Sequence, residues 1–111
     1  MPVVGDYILI QGDDVTKFTK FQEWNTGGRH APGTAYVSLM IRGLQSKEPR
    51  VLVNGTFVGR LLPNDGQWVT ESVHFGGDVL NNGDNTLEIK DLTSGDEVQF
   101  KSIMCHFKQD V

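Results

Sequence analysis

Apolar residues in this chain fall in short runs, most of them alternating with polar ones, and each run is closed by Gly, Asn, Asp or Pro. That is a period of two, the spacing of a strand with one buried face. The clearest case is Ala35 to Arg42 (AYVSLMIR), with Val37, Leu39 and Ile41 on one face and Tyr36, Ser38, Met40 and Arg42 on the other. Gln67 to Phe75 (QWVTESVHF) sets Val69, Glu71, Val73 and Phe75 against Trp68, Thr70, Ser72 and His74. Thr86 to Leu92 (TLEIKDL) sets Leu87 and Ile89 against Glu88 and Lys90. Arg50 to Leu62 (RVLVNGTFVGRLL) holds two such runs meeting at Asn54-Gly55, the pair that a type I′ hairpin turn requires because both central residues take positive φ. Its expected pairs are Val53 with Thr56, Leu52 with Phe57 and Val51 with Val58, which gives both faces of the ribbon apolar matter.

Alternation fails in one place. In Val98 to Phe107 (VQFKSIMCHF), Val98 and Phe100 share one parity while Ile103, Cys105 and Phe107 share the other. One extra residue near Lys101-Ser102, a β-bulge, brings all five to the core side. Tyr7 to Gln11 reads as a first strand. Val15 to Trp24 reads as a short helical turn or irregular strand, since Val15, Phe18 and Phe21 recur every third residue behind a cap at Asp13 or Asp14. The segments Asn25–Thr34, Gly43–Pro49, Pro63–Gly66, Asn81–Asn85 and Thr93–Asp96 read as loops and turns, and Lys108–Val111 as a polar tail. About eight short strands with frequent turns predict an all-β fold: a single antiparallel β-sandwich or jelly roll spanning 1–111, with no repeat or linker.

Composition narrows the function classes. The thirteen glycines exceed a usual share of about 7% and sit mostly between apolar runs, as turn residues do. The net charge is −4 without a Lys/Arg cluster, which argues against a grip on nucleic acid phosphates. No run of eighteen apolar residues occurs, and the opening residues lack a basic segment followed by a long apolar one. A soluble chain without signal peptide or membrane insertion is therefore expected, in no particular compartment. The single cysteine, Cys105, forms no intrachain disulfide and reads as a small buried hydrophobe; on a strand it and His106 point to opposite faces. His30, His74 and His106 show no zinc spacing, and no nucleophile elbow or phosphate loop is present. The expectation is a protein that is not an enzyme.

The order VLVNGTFVGRLL, a tryptophan-bearing strand, LNNGDNTLEI and a final apolar strand resembles the galactose-binding-domain-like jelly roll over roughly residues 35 to 107. That fold occurs in carbohydrate-binding modules, in the sugar-binding accessory domain of family-2 glycoside hydrolases and in small stand-alone domains of unassigned function. The resemblance implies a non-catalytic, lectin-like binding module for a glycan. The alternative is a structural or assembly protein that uses a sandwich face or an edge strand to dock a protein partner or to form a homo-oligomer.

Sugars are held by aromatic faces flanked by hydrogen-bonding side chains. Trp24 borders the loop that offers Asn25, Arg29 and His30, and Trp68 follows the loop that offers Asn64 and Asp65. Brought together at one end of the sandwich, these form an aromatic cleft with polar tips; otherwise the two tryptophans plug the ends of the core. The face carrying Tyr36, Ser38, Met40 and Arg42 is a second candidate surface, as is that of Trp68, Thr70, Ser72 and His74, unless neighbouring segments cover them. No cofactor is expected beyond the structural calcium that the resemblance implies, for which Asp13, Asp14, Asp96 and Glu97 are the oxygen donors.

Overall fold

A computed structural model describes residues 3–12, 22–26, 30–44, 48–62, 66–90 and 98–110. Within them the chain forms eight strands: β1 (Val3–Gln11), β2 (Gln22–Asn25), β3 (His30–Arg42), β4 (Arg50–Val53), β5 (Thr56–Arg60), β6 (Val69–Gly76), β7 (Asp84–Lys90) and β8 (Gln99–Asp110). A single 3-10 turn at Gly77–Val79 joins β6 to β7. The strands make two four-stranded sheets, ordered β1-β8-β3-β6 and β2-β7-β4-β5, with every pairing antiparallel. This is the predicted β-sandwich.

The core lies where the inner faces meet. Ala35, Val37, Leu39 and Ile41 of β3 are at most 1% exposed and pack with Val51 and Val53 of β4, Leu87 and Ile89 of β7 and the apolar residues of β8. At roughly 1.5–3 kcal/mol for each large side chain buried, this is the dominant favourable term. The parity break in β8 resolves as expected. Ser102 takes φ 51 and its N–H bonds to the Gly12 carbonyl at 2.7 Å, while the β3 register slips between Ser38 and Met40. Val98, Phe100, Ile103, Cys105 and Phe107 all end up buried.

The Asn54-Gly55 turn has φ of 53 and 79, as its type requires. Val53 pairs with Thr56 and Leu52 with Phe57, but Val51 pairs with Gly59, because a bulge inserts Val58. The turn is also tied to the β6–β7 connection. Asn54 Nδ2 donates to the Val79 carbonyl at 2.9 Å and to Asn85 Oδ1 at 2.8 Å, and its Oδ1 accepts the Thr86 N–H at 2.9 Å. Asn85, 1% exposed, completes its set by donating to the carbonyls of Asn81 and Gly83 and accepting the Asn81 N–H. A buried amide with every valence used fixes one arrangement of the loop around it.

Four boundaries differ from the sequence reading. His30 to Thr34 belong to β3 rather than to a loop, because His30 and Ala31 pair with Gln109 and Lys108. The same pairing draws the expected polar tail into β8 as far as Asp110. Asp84 and Asn85 open β7 rather than close a turn, since Asn25 and Trp24 pair with them. Asn25, read as the start of a loop, ends the strand Gln22–Asn25, which agrees with the irregular-strand alternative for Val15–Trp24; residues 15–21, like the turn at 93–96, lie outside the described residues.

Two substitutions test this account. Ser102→Val places a β-branched residue at positive φ and is expected to cost about 1–2 kcal/mol in chemical denaturation, while Ser102→Gly is tolerated; equal midpoints for the two would remove the bulge from the account. Glu71, on the inward face of β6, accepts the Leu62 N–H at 3.1 Å through Oε1 while its Oε2 is buried without a partner. Burial raises its carboxyl above the usual value, with the Leu62 N–H opposing. The folded state therefore favours the protonated acid, and stability falls as pH rises from the unfolded carboxyl value, about 4.3, through the folded one. Glu71→Gln removes that loss, so its stability relative to wild type is expected to increase from pH 4 to pH 7 in urea titrations.

Candidate functional site

The outer face of the first sheet is built by the residues that alternate with the core: Tyr7 and Leu9 of β1, Met104, His106 and Lys108 of β8, Tyr36 to Arg42 at every second position of β3, and Thr70, Ser72 and His74 of β6. Register decides which of them meet. Tyr7 lies opposite His106, His106 opposite Tyr36, and Tyr36 opposite His74. The four rings thus form one row across all four strands. Tyr36 and His106 stack with centroids 4.2 Å apart and planes 11° off parallel; Tyr36 and His74 stack at 4.8 Å; Tyr7 and His106 stand at 6.1 Å, tilted by 35°. Tyr7 is 62% exposed at one end of the row, so part of this aromatic surface faces water.

Hydrogen-bonding groups flank the row. Ser38 Oγ and His106 Nε2 are 3.1 Å apart. That is the distance of a nucleophile and its base, but among the described side chains of this face there is no carboxylate to orient the imidazole. The pair reads as a positioned polar edge. Burial lowers the His106 imidazole below its ordinary value, which keeps the stacked ring neutral near pH 7.

Toward the other end of β3, Trp68 is half-buried with the Arg42 guanidinium carbon 4.7 Å and the Lys101 ammonium 4.4 Å from its ring centre. Such contacts are worth about 0.5–1 kcal/mol each at exposed sites, enough to bias both cations toward the ring. Arg42 Nε also donates to Gln99 Oε1 at 2.6 Å.

The end-of-sandwich cleft expected from Trp24 and Trp68 does not form. Trp24 is 6% exposed and belongs to the core, because β2 pairs with β7 with Trp24 on the inward side. Among the described residues its indole N–H has no hydrogen-bond partner of good geometry. It acts only weakly on the Cys105 thiol, which burial pushes up to about 12, leaving an inert side chain. Asn25, exposed, donates to Asp84 Oδ1 at 2.7 Å where β6 ends and β7 begins, whereas Trp68 precedes β6. The full length of β6 therefore separates the two neighbourhoods, which occupy opposite ends. His30 is the first residue of β3. Arg29, Asn64 and Asp65 lie outside the described residues, as do the proposed calcium donors Asp13, Asp14, Asp96 and Glu97. Among the described residues no cluster of three or more His, Cys, Asp or Glu side chains is placed to hold a metal ion.

Sequence parity identified the faces of Tyr36 and His74 but missed Tyr7 and His106 as their partners. The pairing of β1 and β3 with β8 is long-range, and the only local trace of it was the parity break that marks the bulge.

No family model matches the chain, and no curated protein matches it. Its fold is shared with solved structures. The β-porphyranase of glycoside hydrolase family 86 from the human gut bacterium Bacteroides plebeius superposes with a TM-score of 0.65 at 19% identity, over 96% of this chain and 21% of that one. A family 35 carbohydrate binding module from Clostridium thermocellum gives 0.54 at 16% identity, over 93% and 90% of the two chains. An exo-β-1,3-galactanase from Phanerochaete chrysosporium gives 0.50 at 16% identity, over 91% and 23%. This chain thus spans nearly all of the binding module and under a quarter of either enzyme. The likeness is one of fold, the antiparallel β-sandwich of two four-stranded sheets described above.

The lowered His106 pKa has a measurable consequence. Folding favours the neutral ring, so its contribution is complete above the unfolded value of about 6.5 and is lost as pH falls from there through the folded value. His106 is expected to titrate below the ordinary imidazole value by NMR. His106→Phe, which keeps the stacking, should flatten the stability profile between pH 6.5 and 5; an unchanged profile would contradict the placement of this ring.

Proposed function

We propose that this protein is a non-catalytic carbohydrate-binding module that takes its glycan on the outer face of the first sheet. The observation that carries the reading is the row Tyr7, His106, Tyr36 and His74, a band of mutually stacked rings whose end members Tyr7 and His74 are exposed, bordered by Ser38 and Ser72. Pyranose rings present C–H groups that pack on aromatic surface and hydroxyls that need hydrogen-bonding neighbours; the end rings Tyr7 and His74 with the ring edges between them would take the first, and Ser38 and Ser72 the second. The likeness of fold to a carbohydrate binding module over nearly its whole length supports the reading without assigning a ligand. The end-loop alternative keeps Asn25 at one end and Trp68 at the other, but no shared cleft.

A second reading has its own observation. Tyr7 and Leu9 are 62% and 56% exposed on β1, an edge strand, beside Met104. Such an edge suits docking of a protein partner or a second copy of the chain.

Affinity electrophoresis through gels cast with a panel of polysaccharides separates the two. Retardation by at least one glycan is expected. Tyr36→Ala should weaken it about tenfold, the equivalent of ~1.4 kcal/mol, with Tyr7→Ala smaller in effect and Trp24→Phe without effect on affinity. Unretarded protein that self-associates in light scattering, with the association lost in Tyr7→Glu, would replace the glycan reading by the docking one.

A further inference from the structure

The chain carries fourteen acidic residues against ten Lys and Arg, yet among the described side chains the two signs are not mixed evenly over the two sheets. The outer face of the second sheet combines Glu23, Asp84 and Glu88 with Arg50, Arg60 and Lys90. The outer face of the first sheet carries Arg42, Lys101 and Lys108 and, among the described side chains, no Asp or Glu. Among the described residues none of these three cations is paired with a carboxylate.

Their placement follows the strands. Arg42 and Lys101 are gathered on the Trp68 ring at one end of the face, and six residues of β3, about 20 Å, separate Arg42 from the Tyr36 row. Lys108 stands two residues beyond His106 on the other side of the row, where the absence of a side chain at Gly33 leaves room for its stem. Cations therefore bracket the ring row along the strand direction, on a protein whose net charge otherwise repels anions.

From this arrangement we infer that the ligand is an anionic glycan several units long, its carboxylate or sulfate groups held at the Arg42–Lys101 pair and at Lys108 while its rings lie over the Tyr36 row. This rests on the glycan reading above and adds the charge of the ligand. Trp68 then has a positioning role. It gathers two cations on its ring rather than stacking on a sugar itself, which lowers the side-chain entropy they lose on binding.

The test runs the protein through gels cast with two matched pairs: polygalacturonate and its methyl ester, and a sulfated galactan and its desulfated form. Retardation by the charged member of at least one pair and not by its uncharged counterpart is expected, declining with ionic strength. Which pair responds distinguishes carboxylate from sulfate. Lys101→Gln combined with Lys108→Gln should reduce retardation about fivefold or more, whereas Arg42→Lys and Lys101→Arg, which keep the charge, largely retain it. Lys108→Gln alone leaves the Trp68 cluster intact and is checked for an unchanged melting temperature, so a loss there is not a loss of folding. Equal retardation by both members of a pair would overturn the charge inference and leave the glycan reading standing. No retardation in any gel would overturn both. Tighter binding to a single-stranded oligonucleotide than to any polysaccharide would overturn it in favour of nucleic acid.

Discussion

The bulge at Ser102 is the constraint on which both surfaces of the first sheet depend. β8 lies between β1 and β3, so its parity sets what the sheet shows to the core and to solvent. Without the extra residue, one half of the strand would turn Ile103, Cys105 and Phe107 outward, or else Val98 and Phe100. Either case exposes several large apolar side chains at roughly 1.5–3 kcal/mol each. Positive φ at a serine costs about 1–2 kcal/mol, which the burial easily offsets. The same shift puts Lys101 on the outer side together with Met104, His106 and Lys108. A device that completes the core thus also assembles the ring row and its cations on one face.

The motifs that link the sequence to a known fold turn out to serve structure. Asn54-Gly55 makes the hairpin turn, but Asn54 also bonds across to Val79, Asn85 and Thr86, and Asn85 closes the loop from Asn81 to Gly83 onto itself. Asn rather than Asp suits position 85, because the buried side chain both donates and accepts and carries no charge to desolvate. The Gly-Asp-Asn-Thr-Leu stretch is therefore legible as a connection between sheets. It carries no ligand information, which is why a resemblance built on it reaches the fold and stops there.

Local pattern was a good guide wherever a residue's environment depends on its own strand. The inward sets of β3, β6, β7 and β8 follow from alternation plus one inferred bulge. Where environment depends on which strands pair, the sequence was silent. Trp24 stands beside a polar loop and so resembled a binding platform, but pairing of β2 with β7 turns it into the core. The expectation that its loop meets that of Trp68 failed for a topological reason: in an antiparallel sandwich the two ends of one strand open onto opposite poles, and β6 lies between them. The ring row failed to appear in the sequence for the same reason, since Tyr7, Tyr36, His74 and His106 come from four separate strands.

The two outer faces carry different chemistry on a common frame. The inner faces are saturated by mutual packing, and the polar connections at the pole of Asn54 are saturated by their own hydrogen bonds, so neither has much capacity left for a ligand. The outer face of the second sheet mixes charges of both signs around Leu52, which is already 8% exposed, and Phe57, whose ring lies 5.5 Å from the Arg60 guanidinium carbon. Among the described side chains, the outer face of the first sheet alone combines aligned rings, half-exposed polar groups and charge of one sign. Stacking against neighbours holds those rings in place before any ligand arrives, so contact with a ligand costs little additional ordering. Preorganisation of this kind comes from the register of a sheet more readily than from loops, and it is the physical reason to seek function on this face.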